Sequence, residues 1–238
     1  MFYLLRELFM NKIAILLFGL ILSLLTITAQ ADDQADDHGT KDYFNDANDV
    51  TPLLPGMKIP AFSAQTPTGT TVKFDPENLN KPFVLTFYRG GWCPYCNAHL
   101  GEMRTLEQNL TEMGFDVYFI SPDSPDHLVN SLKDQDLKGQ VDHQLLSDAD
   151  MSVAKAFKIA FKVDDATVEK YKQWNIDLEK ASGHDHHLLP APATFVVGTD
   201  GVIQFQYVNP DYKIRLAPDV LHAVAKDYLK RNQNKAVK

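Results

Sequence analysis

The chain has 238 residues but only two cysteines, two tryptophans and no surplus of positive charge. Its longest apolar run is also short of bilayer length. Each shortage excludes something. Cys93 and Cys96 stand three positions apart, so a bond between them staples no distant segments, and closing so short a loop is worth only roughly 2 kcal/mol. A fold held together by disulfides is thereby excluded. With 23 Lys and Arg against 31 Asp and Glu, the net charge is −8, which leaves no basic face for nucleic acid or an anionic membrane. No internal repeat is present.

The apolar run is Ile13–Thr28, preceded by Asn11-Lys12 and followed by Ala29-Gln30-Ala31. A basic start, a short apolar stretch and an A-x-A site describe a secretory signal peptide over residues 1–31. Met10 makes the tidier start, because residues 1–9 add Glu7 to a region that should be basic. Cleavage delivers a periplasmic or secreted protein; the alternative is an N-terminal membrane anchor. Removing Arg6, Lys12 and Glu7 with the signal leaves 21 basic against 30 acidic residues. Residues 32–50, rich in Asp and Asn, read as a flexible acidic leader. One domain follows over 51–230, with a frayed basic tail at 231–238.

Within the domain, Ile59–Phe62 and Thr71–Phe74 are short extended pieces around the turn Thr66-Pro67-Thr68-Gly69. Phe83–Tyr88 is continuously apolar, as suits a strand covered on both faces. From Pro94 to Met113 the period becomes helical, with Leu100, Met103, Leu106 and Leu110 on one stripe and Gly114 as the stop. Phe115–Ile120 reads as a strand, 121–126 as a turn and N-cap for a helix through about 134, 143–146 as a strand and 148–157 as a helix. Residues 159–189 form an irregular insertion, in which Asp164-Asp165 caps a helix with Val168, Tyr171 and Trp174 on one side. Strands 193–197 and 202–208 flank the turn Gly198–Gly201, and a helix over 218–229 closes the chain. Alternating strands and helices around one sheet make the fold α/β.

The chemistry concentrates in Trp92-Cys93-Pro94-Tyr95-Cys96, where the strand gives way to the helix. A thiol at a helix N-terminus faces unpaired N–H groups and the positive end of the macrodipole, so its thiolate is favoured. A second thiol one turn on can close or resolve a disulfide. His99, three residues later, either sits over the thiol or is an exposed helix residue.

Phe87–Cys96, together with Pro192–Val197, resembles the thioredoxin superfamily, and over 51–229 the chain resembles its peroxiredoxin-like alkyl hydroperoxide reductase and thiol-specific antioxidant group. The resemblance implies a thioredoxin-like fold, a central mixed sheet flanked by helices. It also implies a cis-proline at Pro192, with Ala191 offering backbone groups to substrate, and it places Arg89, Trp92 and Tyr95 around the cysteines as substrate-positioning residues. Three departures stand out. Peroxiredoxins carry Pro-x-x-x-Thr-x-x-Cys, and here Arg89 and Cys93 occupy the proline and threonine positions, so Cys96 matches the peroxidatic cysteine and Cys93 the attacking cysteine of thioredoxins. The family arginine near the strand occupied here by Pro192 is missing; Arg89 either replaces it from the other side or lies on the surface. Thr86 stands where thioredoxins bury an acid.

With the signal peptide supplying export, the resemblance implies a thiol-dependent oxidoreductase cycling Cys93 and Cys96 without cofactor or metal. It is expected to reduce hydroperoxides at the expense of an external thiol donor, thioredoxin-like or membrane-delivered. The alternatives are a protein-disulfide reductase and a non-enzymatic envelope binding protein. His184, His186 and His187 form an eye-catching cluster that could nominally join the cysteines in a zinc site; an exposed polar loop is the expectation. N-terminal sequencing of the exported protein is expected to start at Asp32, and recovery of Ile13 in the mature form would overturn cleavage.

Overall fold

The structure is a computed structural model that describes residues 41–134 and 145–236. Two short strands, β1 (Phe62–Gln65) and β2 (Thr71–Phe74), form a hairpin across a turn in which Gly69, at φ +77°, donates its N–H to Thr66 O at 2.9 Å. The apolar run produces β3 (Phe83–Phe87), every residue of which is buried. Helix α1 (Pro94–Glu112) follows, then β4 (Asp116–Ser121), α2 (Pro125–Asp134), β5 (Leu145–Ser147) and α3 (Ser152–Ala156). The insertion contributes β6 (Ala160–Lys162), α4 (Asp165–Gln173), α5 (Leu178–Ser182) and β7 (Leu188–Pro190). Last come β8 (Ala193–Val197), β9 (Ile203–Val208) and α6 (Pro218–Ala236).

The main sheet runs β2-β1-β5-β4-β3-β8-β9, with β3 central between parallel β4 and antiparallel β8. Because alternate residues of a strand face opposite sides, β3 serves two cores. Phe83, Leu85 and Phe87 pack with Phe195, Phe157 and Leu146 on one face. Val84 lies on the other with Met103 and Leu110 of α1, Leu128 of α2 and Leu221, Ala225 and Tyr228 of α6. Both cysteines belong to this second cluster. The site is therefore an apolar layer between sheet and helices rather than a surface loop.

Several expectations change in detail. Residues 42–50, read as leader, dock at their described end: Phe44 bridges Phe161 in parallel, with Phe44 N–H on Ala160 O at 2.9 Å and Lys162 N–H on Phe44 O at 2.8 Å. A 3-10 turn at Ala47–Asp49 follows, capped by Asp46. The helix expected over 148–157 is only α3, because both oxygens of buried Asp148 accept the N–H groups of Val153 and Ala154 at 2.9 and 2.8 Å and set its start. Asp164 caps α4 through Thr167 N–H at 2.9 Å, as its sequence implied, but Trp174 is exposed at the helix end. The insertion also forms the small β6–β7 ribbon, which its irregular pattern concealed. Helix α6 continues to Ala236, beyond the last apolar residue of its stripe. His143 of the expected fifth strand lies outside the described residues.

Among the described residues no helix is long and apolar enough to cross a membrane. Phe157 packs edge-on or tilted, with ring centres 4.9 to 5.6 Å away, against Phe195, Phe87 and Phe62, tying α3 to the sheet. Phe157→Ala is expected to cost about 3–5 kcal/mol in chemical denaturation; a loss below about 1 kcal/mol would mean the aromatic cluster is not a stabilising centre.

Candidate active site

The turn 88–93 is fixed from both sides. Tyr88 N–H continues the β3–β4 ladder onto Ile120 O at 3.0 Å, and Cys93 N–H closes the turn onto Gly90 O at 3.1 Å. Gly91 is gripped twice: its N–H donates to Asp123 Oδ2 at 2.7 Å, and its carbonyl accepts from Asn97 Nδ2 at 2.8 Å. Gly90 has φ +143°, and a Cβ there would collide with Trp92 Nε1 and lie 2.8 Å from Asp123 Oδ1. Only glycine lets the turn pass so close to both side chains.

Cys93 caps α1 with Pro94 at the first helical position, and its carbonyl accepts the N–H groups of Cys96 and Asn97 at 3.0 and 3.1 Å. Both thiols are free, and both residues are sealed, Cys93 at 1% exposure and Cys96 at 0%. A hydrogen bond from the Cys96 thiol holds Cys93 down to about 6 against the opposing effect of burial, with help from Cys96 N–H, Arg89 and Arg215. Burial, and the proton donated toward Cys93, push Cys96 well up. One proton therefore serves two sulfurs, and the charge rests on Cys93.

The cation is the main residue that sequence reading missed. Arg215, in the segment between β9 and α6, places Nη2 3.1 Å from Cys96 Sγ. Its Nε donates to Tyr212 O at 2.7 Å, and His99 on α1 hydrogen-bonds the neighbouring Leu216 O at 3.1 Å. The arginine that seemed lost at Pro192 thus reaches the sulfurs from a different segment. Its signal was faint: an isolated Arg in a loop, distant in sequence from the cysteines. His99 is buried rather than exposed, with its pKa lowered chiefly by burial, and it anchors the chain beside Arg215.

Arg89 is likewise buried, not on the surface. Its guanidinium carbon lies 4.1 Å from the Tyr212 ring centre, 5.3 Å from Trp92 and 5.5 Å from Tyr171, and Nη2 donates to Tyr171 Oη. Tyr95 is half exposed and packs edge-on against Tyr212 at 5.6 Å. Arg89, Tyr171, Tyr212 and Pro192 border a groove of about 250 Å³ that residues 45–47 also line. A larger cavity, about 330 Å³, lies around Gln65, Ser147 and Asp150, and neither it nor the groove is lined by a cysteine.

Two expectations at Pro192 are corrected. Among the described residues no peptide bond is cis, so Ala191–Pro192 is trans. Ala191 is buried and its N–H is already bonded to Ile159 O at 2.8 Å, because the β6 ribbon packs there; that donor is not free for a substrate. Thr86, in place of the thioredoxin acid, pairs its hydroxyl with that of Thr194 at 3.2 Å. A buried acid comes instead from Asp123, just after β4. The histidines are engaged elsewhere. His186 takes Leu188 N–H on Nδ1 at 2.9 Å and Nε2 contacts Ala149 O at 2.8 Å, while His187 Nε2 meets Glu179 at 2.8 Å.

The sign of the Cys93 shift sets a pH dependence: thiolate is present above about pH 6 and lost below it. Iodoacetamide alkylation of the reduced protein is expected to rise through that pH rather than near the ordinary thiol range of about 8.5. Arg215→Met should move the inflection upward and slow alkylation at pH 7, with Arg215→Lys intermediate because it keeps charge without the planar fork. An unmoved inflection would show that the cation does not act on the sulfurs.

The alkyl hydroperoxide reductase and thiol-specific antioxidant (AhpC/TSA) family model matches residues 55–206. A Mycobacterium tuberculosis protein named a peroxiredoxin is 31% identical over 108 residues, which are 45% of this chain and 66% of that relative. Peroxidoxin BcpB from the same organism superposes with a TM-score of 0.54 at 20% identity, covering 75% of this chain and 97% of its own. Enterococcus faecalis AhpC gives 0.55 at 20% identity, covering 76% and 96%. Reduced Prx3 of Vibrio vulnificus, solved with hydrogen peroxide, gives 0.56 at 17% identity, covering 72% and 99%. These likenesses establish a thioredoxin-type fold, and with the match over residues 55–206 they assign the chain to the AhpC/TSA family of peroxiredoxin-like proteins.

Proposed function

We propose that this protein is an exported thiol-dependent peroxidase in which Cys93 attacks the hydroperoxide, Cys96 resolves the product, and an external thiol donor restores the pair. The carrying observation is that two sealed sulfurs, one helical turn apart at the start of α1, lie beside the Arg215 guanidinium, whose Nη2 is 3.1 Å from Cys96 Sγ. Two features point to different attacking sulfurs: the arginine contacts Cys96, whereas the charge lies on Cys93. The charge decides, because the thiolate is the nucleophile. Arg215 then acts at the second step, when Cys96 must surrender its proton.

The cycle balances. Cys93 thiolate attacks the terminal peroxide oxygen, the O–O bond breaks, and the departing alkoxide takes a proton to leave as alcohol. Cys93 is now a sulfenic acid. Cys96 loses its proton, its sulfur bonds to the Cys93 sulfur, and hydroxide leaves with that proton as water. Two electrons and two protons from the external thiols reopen the disulfide.

Exposures of 0–1% favour a small oxidant over a protein disulfide, which would have to bring its own sulfur onto Cys93. The occupied Ala191 N–H favours the same reading, since it removes a backbone contact for an incoming peptide.

Stopped-flow oxidation of the reduced protein by hydrogen peroxide and an alkyl hydroperoxide tests the proposal. The expected result is oxidation orders of magnitude faster than a free thiol, with loss of two thiols per peroxide. Cys96→Ser should accumulate sulfenic acid on Cys93, and Cys93→Ser should not react. Oxidation no faster than free cysteine would overturn the peroxidase; sulfenic acid on Cys96 in Cys93→Ser would reverse the assignment.

A further inference from the structure

Arg89, just after β3, is a buried cation that lacks an acid. The residue is 4% exposed, and none of the ion pairs among the described residues includes it. Its guanidinium makes one hydrogen bond, from Nη2 to Tyr171 Oη, while Nε is sealed with no partner. A guanidinium offers five N–H donors and keeps its charge. Taking that charge out of water is costly unless partners offset it. The rings of Tyr212, Trp92 and Tyr171, at 4.1, 5.3 and 5.5 Å, offset part of it. They bring no negative charge and no acceptor for the remaining donors.

The same side chain lines the groove of about 250 Å³. Apolar and aromatic walls come from Tyr171 on α4, Phe161 of β6, Pro192 ahead of β8, and Pro210 and Tyr212 in the segment after β9. Three other charged side chains face the groove: Lys162, Asp46 and Asp164. Each has a structural task within the chain. Lys162 Nζ donates to His186 O at 2.7 Å. Asp46, which is exposed, caps the 3-10 turn by accepting Asn48 N–H and Nδ2 at 2.7 and 2.6 Å. Asp164, also exposed, caps α4 by accepting the Thr167 N–H and hydroxyl at 2.9 and 2.6 Å. Arg89 is the charge left over, and it is the buried one.

We propose that this groove is a binding site for a small organic acid with one carboxylate and an apolar body. The carboxylate pairs with the Arg89 guanidinium, whose planar fork matches its two oxygens, and the body packs against Tyr171 and Tyr212. Asp46 and Asp164 repel a second negative charge on the ligand, which restricts the site to monocarboxylates. Neither cysteine lines the groove, and the ligand takes no part in the cycle above, so the site goes beyond the peroxidase reading and does not rest on it.

Calorimetric titration of the reduced full-length protein with phenylacetate, its neutral counterpart phenylacetamide, and phenylmalonate, which adds a second carboxylate, tests the proposal. Phenylacetate is expected to bind about tenfold or more tighter than phenylacetamide, the factor that a charge-assisted hydrogen bond supplies, and tighter than phenylmalonate. Equal affinity for acid and amide overturns the site, and phenylmalonate binding as tightly as phenylacetate overturns its restriction to one charge. Arg89→Met, with folding checked by circular dichroism, should abolish the preference for acid over amide; a preserved preference overturns the assignment to Arg89. If that variant does not fold, wild-type NMR decides. Intermolecular NOEs from the phenylacetate ring to Tyr171 and Tyr212 support the site, and NOEs only to residues of the larger cavity around Gln65 and Ser147 overturn it. None of these measurements uses peroxide, so slow peroxide oxidation would refute the peroxidase while leaving the binding result standing.

Discussion

Two sulfurs removed from water must still dispose of charge, and in this protein they do so by sharing a proton. Burial and the hydrogen bond to Cys93 push the Cys96 thiol well up while Cys93 is drawn down to about 6, which makes Cys93 the ionised partner and Cys96 the reserve. Each surrounding element serves that arrangement. The first turn of α1 brings backbone N–H groups to bear on the sulfurs, Arg215 brings a fixed cation, and the apolar residues of the sheet–helix layer keep water from competing with either. An isolated thiol in the same layer would be pushed up by burial and would be unreactive.

The supports for this pair come from segments far apart in sequence. Residues 88–96 leave β3 and enter α1, Ser121–Asp123 leaves β4, and the stretch before α6 carries Arg215. The parallel β3–β4 pairing sets the first two side by side, because strands in that register end at the same edge of the sheet. His99 couples the third to α1 through Leu216 O. The histidine thus holds the backbone of the residue next to Arg215, and the arginine is one hydrogen bond from the sulfur.

Legibility followed the range of the interaction. The central strand, the active-site helix and the two cysteines were readable because their signals are local: a continuous apolar run, a change of period, and two thiols one turn apart. The short hairpin and the Asp164 cap were readable for the same reason. Arg215, Asp123 and His99 were not, because a lone charged or polar residue acquires meaning only from what tertiary folding sets beside it. Arg89 shows the point from the other side. A loop arginine is ordinarily solvated, but Tyr171 and Tyr212, 82 and 123 positions later, close over it and bury it. Pro192 shows where family pattern outran local physics: an X-Pro bond prefers trans, and here Ala191 N–H is committed to the β6 ribbon.

The two arginines divide one task. Arg215 aims its fork at a sulfur, whereas Arg89 spends its charge largely on aromatic faces and the Tyr171 hydroxyl. A guanidinium against aromatic rings keeps its charge while giving up little of its solvation advantage, so Arg89 contributes a field at Cys93 without making a bond that must break during the reaction. Arg215 makes such a bond, and it does so to the sulfur that is protonated at rest. That is economical for a two-step oxidation. In the proposed cycle the first attack needs an unencumbered thiolate on Cys93, and the second needs Cys96 ionised at the moment the sulfenic acid is in place. A cation held at Cys96 from the start, by the Tyr212 carbonyl on its Nε and a buried histidine on the next residue's backbone, favours that ionisation without reorganisation.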